Sequence, residues 1–213
     1  EKYPRDIERD RAMAESAGVD VLFYPSVSDM YSADATTMVD VGPMGTVLCG
    51  VSRPTHFRGV TTVVAKLFSI VQPDTAVFGQ KDAQQFFIIE KMTRDLHMHV
   101  ALIMAPIRRE QDGLAMSSRN VYLNADERRQ ALALNASLRE AETLIKSGER
   151  NPAVIQSHME KIFAQHPLVR KDYIAVVEAG TLKEQNIIHG RTLIAVAAYL
   201  GKTRLIDNII INV

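Results

Sequence analysis

The sequence predicts an α/β fold: a doubly wound parallel sheet followed by a smaller α+β region. Two observations carry this. In the first half, apolar strand-like runs alternate with helix-period runs, at 60–72, 75–78, 85–96 and 100–105, which is the pattern of a parallel sheet with crossover helices. In the last third, three runs rich in β-branched residues (173–177, 193–199 and 205–211), with Gly201 between the last two, predict a small antiparallel sheet. At 213 residues and 46% hydrophobic content the chain can bury a real core. We place a domain boundary after the strand at 100–105, giving regions 1–105 and 106–213.

Residues 5–17 are expected to be helical, with Pro4 ahead and Gly18 as the stop. Val21-Leu-Phe-Tyr24 follows as a strand ended by Pro25, and 37–41 as a second short strand. Residues 42–58 read as a long Gly- and Pro-bearing loop, a length that in a compact domain often signals function. Its end, Arg53-Pro-Thr-His-Phe-Arg58, concentrates two Arg and one His before a helix N-terminus. That cluster fits contact with a substrate or another segment of protein, the alternative being a polar loop anchored by Phe57. His56 has no second His or carboxylate at metal-ligand spacing.

In the helix 60–72, Val60, Val63, Val64, Leu67, Phe68 and Val71 form one stripe, a core signal. Pro73-Asp74 ends it and feeds the strand at 75–78. Gly79-Gln80-Lys81 then turns into a helix for which Asp82 is the expected N-cap. A Gly-bearing turn between strand and helix N-terminus suits an anion, with Lys81 as a point charge beside it. The same residues suit a plain turn with a solvated Lys. Gln85, one turn from Asp82, can face such a site, whereas Glu90 reads as a surface charge.

After Pro106, the stretch Asp112-Gly-Leu-Ala-Met-Ser-Ser-Arg-Asn120 offers a flexible Gly113, the Ser117 and Ser118 hydroxyls and the donor fork of Arg119. It fits a loop closing over phosphates, and it also fits an ordinary polar turn. A helix then starts at Asn124, with Glu127 completing a capping box, and runs to about Lys146. Asn151-Pro152 opens another that ends near Gln165.

Composition removes several function classes. With 25 basic and 25 acidic residues there is no overall basic footprint for nucleic acid. No apolar run approaches the ~20 residues that cross a bilayer. The single Cys49 excludes an intrachain disulfide and fits a reducing, cytoplasmic setting. It reads as an apolar filler in preference to a nucleophile.

Three stretches together, Ser52-Arg-Pro-Thr-His-Phe-Arg-Gly-Val60, Phe78-Gly-Gln-Lys-Asp-Ala-Gln-Gln85 and Asp112 to Asn120, resemble signatures of the pantothenate synthetase (pantoate-β-alanine ligase) family, in the family's order. The likeness extends from Tyr3 to Asp207-Asn208. It implies a Rossmann-like domain of nucleotidyl transferase type with a small C-terminal domain, and condensation of pantoate with β-alanine through a pantoyl adenylate at the expense of ATP and Mg²⁺. By position, Gly79, Gln80, Lys81, Asp82, Arg108, Met116, Ser117, Ser118 and Arg119 would line the ATP site. Arg108 would use its backbone. Lys81, Ser117, Ser118 and Arg119 would be catalytic, and Gln85 would hold pantoate. Met116 to Arg119 is similar to the Lys-Met-Ser-Lys-Ser loop of class I aminoacyl-tRNA synthetases. Gln80 stands where many members have Glu.

The family likeness also implies a homodimer. One departure is large: none of His56, His97, His99, His158, His166 or His189 lies in the family's His-x-Gly-His motif, and the chain opens at Glu1-Lys-Tyr-Pro, well into the family pattern. The expectation is therefore little adenylation by these 213 residues alone. Another nucleotidyl transferase sharing this sheet and loop, or a non-catalytic folded fragment, are the alternative readings.

Overall fold

The computed structural model describes residues 6–213; Tyr3, Pro4 and Arg5, where the family likeness and the first helix were expected to begin, lie outside them. The chain forms two compact units, residues 1–37 and 38–213.

In the first unit, helix α1 (Ile7–Ser16) starts at Asp6, whose carboxylate accepts the Arg9 N–H at 3.1 Å. Helix α2 (Val27–Met30) is a single turn closed by a capping box between Ser26 and Asp29. Residues 21–24 are not a strand. Their β-rich composition was a propensity only, and no strand among the described residues pairs with them; a strand persists only where a neighbour takes up its N–H and C=O groups.

The second unit opens with an irregular segment at 38–41, where a strand was expected. It is pinned by side chains: Thr62 Oγ1 accepts the Val39 N–H at 2.9 Å, and the Thr61 hydroxyl donates to the Val39 carbonyl at 2.6 Å. Both threonines are buried on α4 (His56–Val71) beside the apolar stripe, and their two hydroxyls replace a strand's hydrogen bonds. Helix α3 (Cys49–Ser52) lies within the expected loop. There an added Cβ on Gly50 would stand 2.1 Å from the Gly45 carbonyl oxygen, backbone that cannot swing away. Gly50→Ala is expected to cost about 1–3 kcal/mol, read as a lower urea midpoint with an unchanged m-value.

Strands β1 (Thr75–Gly79) and β2 (Ala101–Ala105) pair in parallel across α5 (Ala83–Asp95), Thr75 opposite Ala101 and Gly79 opposite Ala105. Phe78 and Leu102 pack with Val64, Ile89 and Met92 from α4 and α5. The other sheet face carries Val77 and Ile103, 62% and 52% exposed.

Helices α6 (Ala125–Gln130), α7 (Leu132–Lys146) and α8 (Pro152–Ala164) follow. The Asn124–Glu127 capping box forms as predicted, and Pro152 sits at the start of α8, with Asn151 as its cap. The antiparallel sheet has the order β3 (Val169–Glu178), β4 (Arg191–Leu200), β5 (Thr203–Asn212).

This sheet is covered on both faces. Val176, Ile194, Val196, Ala198 and Leu200 pack on α7 and α8 around Leu134, Leu138, Ile155 and Met159. The opposite set, Ala175, Val177, Leu193 and Ala195, packs on Phe86 and Phe87 of α5 with Met44, Cys49 and Phe57. The small sheet is thereby cored directly onto the helix that follows the Gly79 turn. No helix among the described residues is long and apolar enough to cross a membrane.

Candidate functional site

The site is built where β1 ends. Gly79 is still extended (ψ 133°), and one 3-10 turn, Gln80–Asp82, swings the chain into α5. Asp82 occupies the N-cap position as expected, but its side chain does not cap the helix and stays exposed. The first N–H groups of α5 thus stand at the carboxyl end of a parallel strand, where open α/β sheets take ligands.

Asn208 of β5 holds this turn. Its Nδ2 donates to the carbonyls of Gln80 and Lys81 at 2.9 and 3.0 Å, and its Oδ1 accepts from Gln80 Nε2 at 3.3 Å. Gln84, 6% exposed, holds the other flank. It accepts the Cys49 N–H at 3.0 Å and donates to the carbonyls of Met44 and Val47 at 3.1 and 2.8 Å.

The second element is a pinned hairpin, contrary to the flexible loop suggested by Gly113. Arg109 and Ala115 form an antiparallel bridge, Met116 N–H donates to the Arg108 carbonyl at 2.9 Å, and Glu110 N–H to the Leu114 carbonyl at 2.8 Å. Gly113 is needed for its backbone: φ is +95°, and a Cβ would meet Asn135 Nδ2 at 2.5 Å. Arg128 bridges Glu110 and Asp112 at 2.7 and 2.6 Å, and Asn120 Nδ2 donates to Glu110 Oε1 at 2.6 Å. Hydrogen bonds from Asn120 and Arg128 hold the Glu110 carboxyl below its usual range, and one from Arg128 does the same for Asp112. Arg109 reaches Asp207 of β5 with two bonds, 2.7 and 3.0 Å, and also donates to the Gly113 carbonyl at 3.0 Å. Past the hairpin, Ser117 Oγ accepts the Arg119 N–H at 3.2 Å and opens the 3-10 turn Ser118–Tyr122.

Strand β5 relates the two elements, since Asn208 holds the Gln80–Lys81 turn and Asp207 holds Arg109 of the hairpin. Burial holds the Lys81 ammonium below the usual lysine range; Asp82 and Asp207 oppose that shift, and Arg119 adds to it. Burial likewise lowers His56, followed by the positive charge of Arg53, and Arg119 and Arg204 act in the same direction against Asp82. Lys81, Asp82, Arg119, Arg53 and His56 therefore share one electrostatic neighbourhood. His56 enters it from a strained turn: Thr55, β-branched, takes φ +66° immediately before α4.

Of the remaining residues inferred from sequence, Gln85 is half-buried on α5, while Arg108, Met116 and Ser118 have exposed side chains. Cys49 is buried in the core as expected, but with polar company: its Sγ lies 3.3 Å from Tyr173 Oη and 3.4 Å from an Arg204 nitrogen. Burial, with Cys49 beside it, pushes the Tyr173 hydroxyl well above the usual tyrosine range.

Sequence reasoning missed Gln84, Arg109, Asp207 and Asn208. A signal for the last two was present, since Asp-Asn interrupts an otherwise Leu- and Ile-rich strand, and polar residues are buried in such a strand only with partners. Gln84 and Arg109 carry no comparable mark, because each stands beside a like residue, Gln85 or Arg108.

A parallel strand, Gly-bearing turn and helix, with a second loop tied to the same β5 strand and a small sheet cored on the same helix, define the class: an α/β enzyme of nucleotidyl transferase type with a small C-terminal domain. The model of the pantoate-beta-alanine ligase family matches residues 1–210, and the chain belongs to that family of ligases. The chain is 52% identical to the pantothenate synthetase of Carboxydothermus hydrogenoformans and 54% identical to that of Acetivibrio thermocellus, over 213 residues in each case. Both alignments span all of this chain, with 75% and 76% of those proteins. The crystal structure of pantothenate synthetase from Thermus thermophilus superposes with a TM-score of 0.93 at 42% identity, over 98% of this chain and 75% of that one. Pantoate-beta-alanine ligase from Francisella tularensis, solved with beta-gamma ATP and beta-alanine, superposes with a TM-score of 0.74 at 30% identity, over 97% and 70%.

Proposed function

We propose that this chain carries the nucleotide and acyl sites of an ATP-dependent ligase that joins pantoate to β-alanine. The observation that carries the reading is that two loops from distant parts of the sequence, one bearing Lys81 and the other leading to Arg119, are anchored on adjacent residues of β5, with the Arg119 charge felt at Lys81. A nucleoside triphosphate, arriving with its Mg²⁺ as the substrate, presents the anionic oxygens such a pair can meet, and Asp82 is the exposed carboxylate available beside them.

In the reaction we infer, a pantoate carboxylate oxygen attacks the α-phosphorus and the bond to pyrophosphate breaks, leaving pantoyl adenylate. The β-alanine amine then attacks the acyl carbon, the bond to AMP breaks, and the amine gives up a proton as the amide forms. Gly79, Gln80, Lys81 and Asp82 hold the phosphates from one side. Met116, Ser117, Ser118 and Arg119 hold them from the other, the backbone of Arg108 meets the adenine, and Gln85 donates to pantoate. Lys81, Ser117, Ser118 and Arg119 neutralise charge as it moves to the leaving oxygen.

Cytoplasmic location and a homodimer complete the proposal. We propose in addition that rapid adenylation needs a His-x-Gly-His element, which these 213 residues lack.

The test is pyrophosphate release from MgATP and pantoate, with and without β-alanine. It compares the 213-residue chain with a form extended by the leading part of the Carboxydothermus hydrogenoformans relative. Pantoate-dependent release, faster in the extended form and yielding pantothenate once β-alanine is added, is the expected result. Release that ignores pantoate in both forms overturns the assignment of substrates in favour of another nucleotidyl transfer.

A further inference from the structure

We propose that Asn208 is a positioning residue that aims the phosphate-binding turn, and that with its neighbour Asp207 it makes β5 a common anchor for both loops of the site. The inference rests on the nucleotide reading given above and adds the part that sets its geometry.

Adjacent residues of a strand point to opposite faces. Asn208 shares the parity of Ile206 and Ile210, which pack toward α5, and Asp207 that of Leu205 and Ile209, which pack toward α7 and α8. Both polar side chains are buried, at 3% and 2% exposure. In the middle of a strand that is otherwise Leu and Ile from 205 to 211, two such groups are a burden to stability unless their partners are well placed.

The partners are informative. Asn208 gives both amide hydrogens to the turn, one to the Gln80 carbonyl and one to the Lys81 carbonyl. In a trans peptide the C=O and the following N–H point in opposite directions. Fixing those two carbonyls on β5 therefore turns the N–H groups of Lys81 and Asp82 away from β5 as a pair, the arrangement by which successive backbone donors cradle an anion. Asp207 accepts Arg109, which in turn donates to the Gly113 carbonyl at the tip of the second hairpin. The two side chains sit on consecutive residues, and the Asn208 N–H donates to Asp207 Oδ1 at 2.8 Å, so a displacement at one loop is felt at the other.

The experiment compares Asn208→Ala, Asn208→Asp and a control, Leu200→Ala, which opens a cavity on the α7/α8 face of the same sheet. MgATP affinity is measured by calorimetry on the full chain at pH 8 and pH 5.5, alongside the unfolding midpoint. Asn208→Ala is expected to weaken MgATP about tenfold. Asn208→Asp matches the original side chain in shape but sets carboxylate oxygens against two carbonyl oxygens. It should therefore bind more weakly than the Ala variant at pH 8 and recover toward it at pH 5.5, where a protonated carboxyl regains one donor. Leu200→Ala should lower the unfolding midpoint and leave affinity within about twofold, because its cavity lies on the opposite face.

Wild-type affinity in both Asn208 variants, or an equal loss in Leu200→Ala, overturns the positioning role. A wild-type chain that takes up no MgATP overturns it together with the nucleotide reading. Uptake with the expected variant pattern, but no pantothenate from the extended form, leaves Asn208 in place and removes the proposed substrates.

Discussion

Lys81→Met is expected to lower pyrophosphate release by about 10²–10³-fold in the extended form and to weaken MgATP binding by the 213-residue chain, while raising the unfolding midpoint of both. The two directions have one cause. Lys81 is charged in a place where burial disfavours its charge, with Arg119 adding to the burden, and Asp82 and Asp207 only partly offset it. A bound polyphosphate supplies the missing negative charge, so the ammonium is poorly matched in the empty site and well matched in the filled one. Methionine keeps the stem and removes the mismatch. The sign of the pH dependence follows from the lowered pKa. Between the folded-state value and that of an unfolded lysine, about 10.4, the unfolded chain holds more protons, so the wild-type chain gains stability as pH rises through that window. Lys81→Met should lack that gain. Thermal unfolding from neutral to alkaline pH, with the rate assay at neutral pH, checks all of this. A variant that is both inactive and less stable would show that Lys81 is a structural ion-pair partner and not a phosphate ligand. Lys81→Arg should not restore the rate, since a planar fork does not replace a compact point charge in a turn this tight.

The parallel unit was legible because helix period and strand period alternate cleanly between residues 60 and 105, and Pro73 and Pro106 punctuate it. The capping box at Asn124 was equally plain, since the signal is local. Where the reading failed, the deciding partner is distant in sequence. Residues 21–24 have strand composition without a strand to pair with, and 38–41 are held by two threonine hydroxyls from α4. Gly113 read as flexibility, but its hairpin is fixed by Arg109, Asn120 and Arg128. The small antiparallel sheet was read from its β-branched runs and Gly201 without the partners that cover it. The uninterrupted apolar run Leu193-Ile-Ala-Val-Ala-Ala198 already carried the answer: a strand with no polar alternation is buried on both sides, and β4 lies between α7 and α8 on one face and α5 on the other. Charge in the site was legible at Lys81 and Arg119. The groups that orient these loops, Gln84, Arg109, Asp207 and Asn208, were not, because their meaning lies in what they touch.

Among those orienting groups, the Arg109–Asp207 pair carries the largest expected effect on folding. Asp207 has 1% of its side chain exposed and Arg109 has 25%, and two hydrogen bonds at 2.7 and 3.0 Å join them. The members are therefore not equivalent. Arg109→Leu leaves a carboxylate deep in the protein with only the Asn208 N–H at 2.8 Å as a donor, whereas Asp207→Leu leaves a guanidinium that can still turn toward water and keep the Gly113 carbonyl. Loss of one partner from a buried pair typically costs about 3–5 kcal/mol. Arg109→Leu should fall at the upper end of that range and Asp207→Leu below it. At this chain length a loss of that size lowers the melting temperature by roughly 6–20 °C. The double replacement by leucines should cost less than the sum of the singles, because it strands neither charge. Urea unfolding of the four proteins in the cycle gives the coupling energy directly. Equal costs for the two singles, or simple additivity in the double, would mean that the ion pair is solvated and that β5 does not hold the hairpin through it. A coupling of a few kcal/mol, with the larger loss at Arg109, would place the second loop under the control of the same strand that fixes the Gly79 turn.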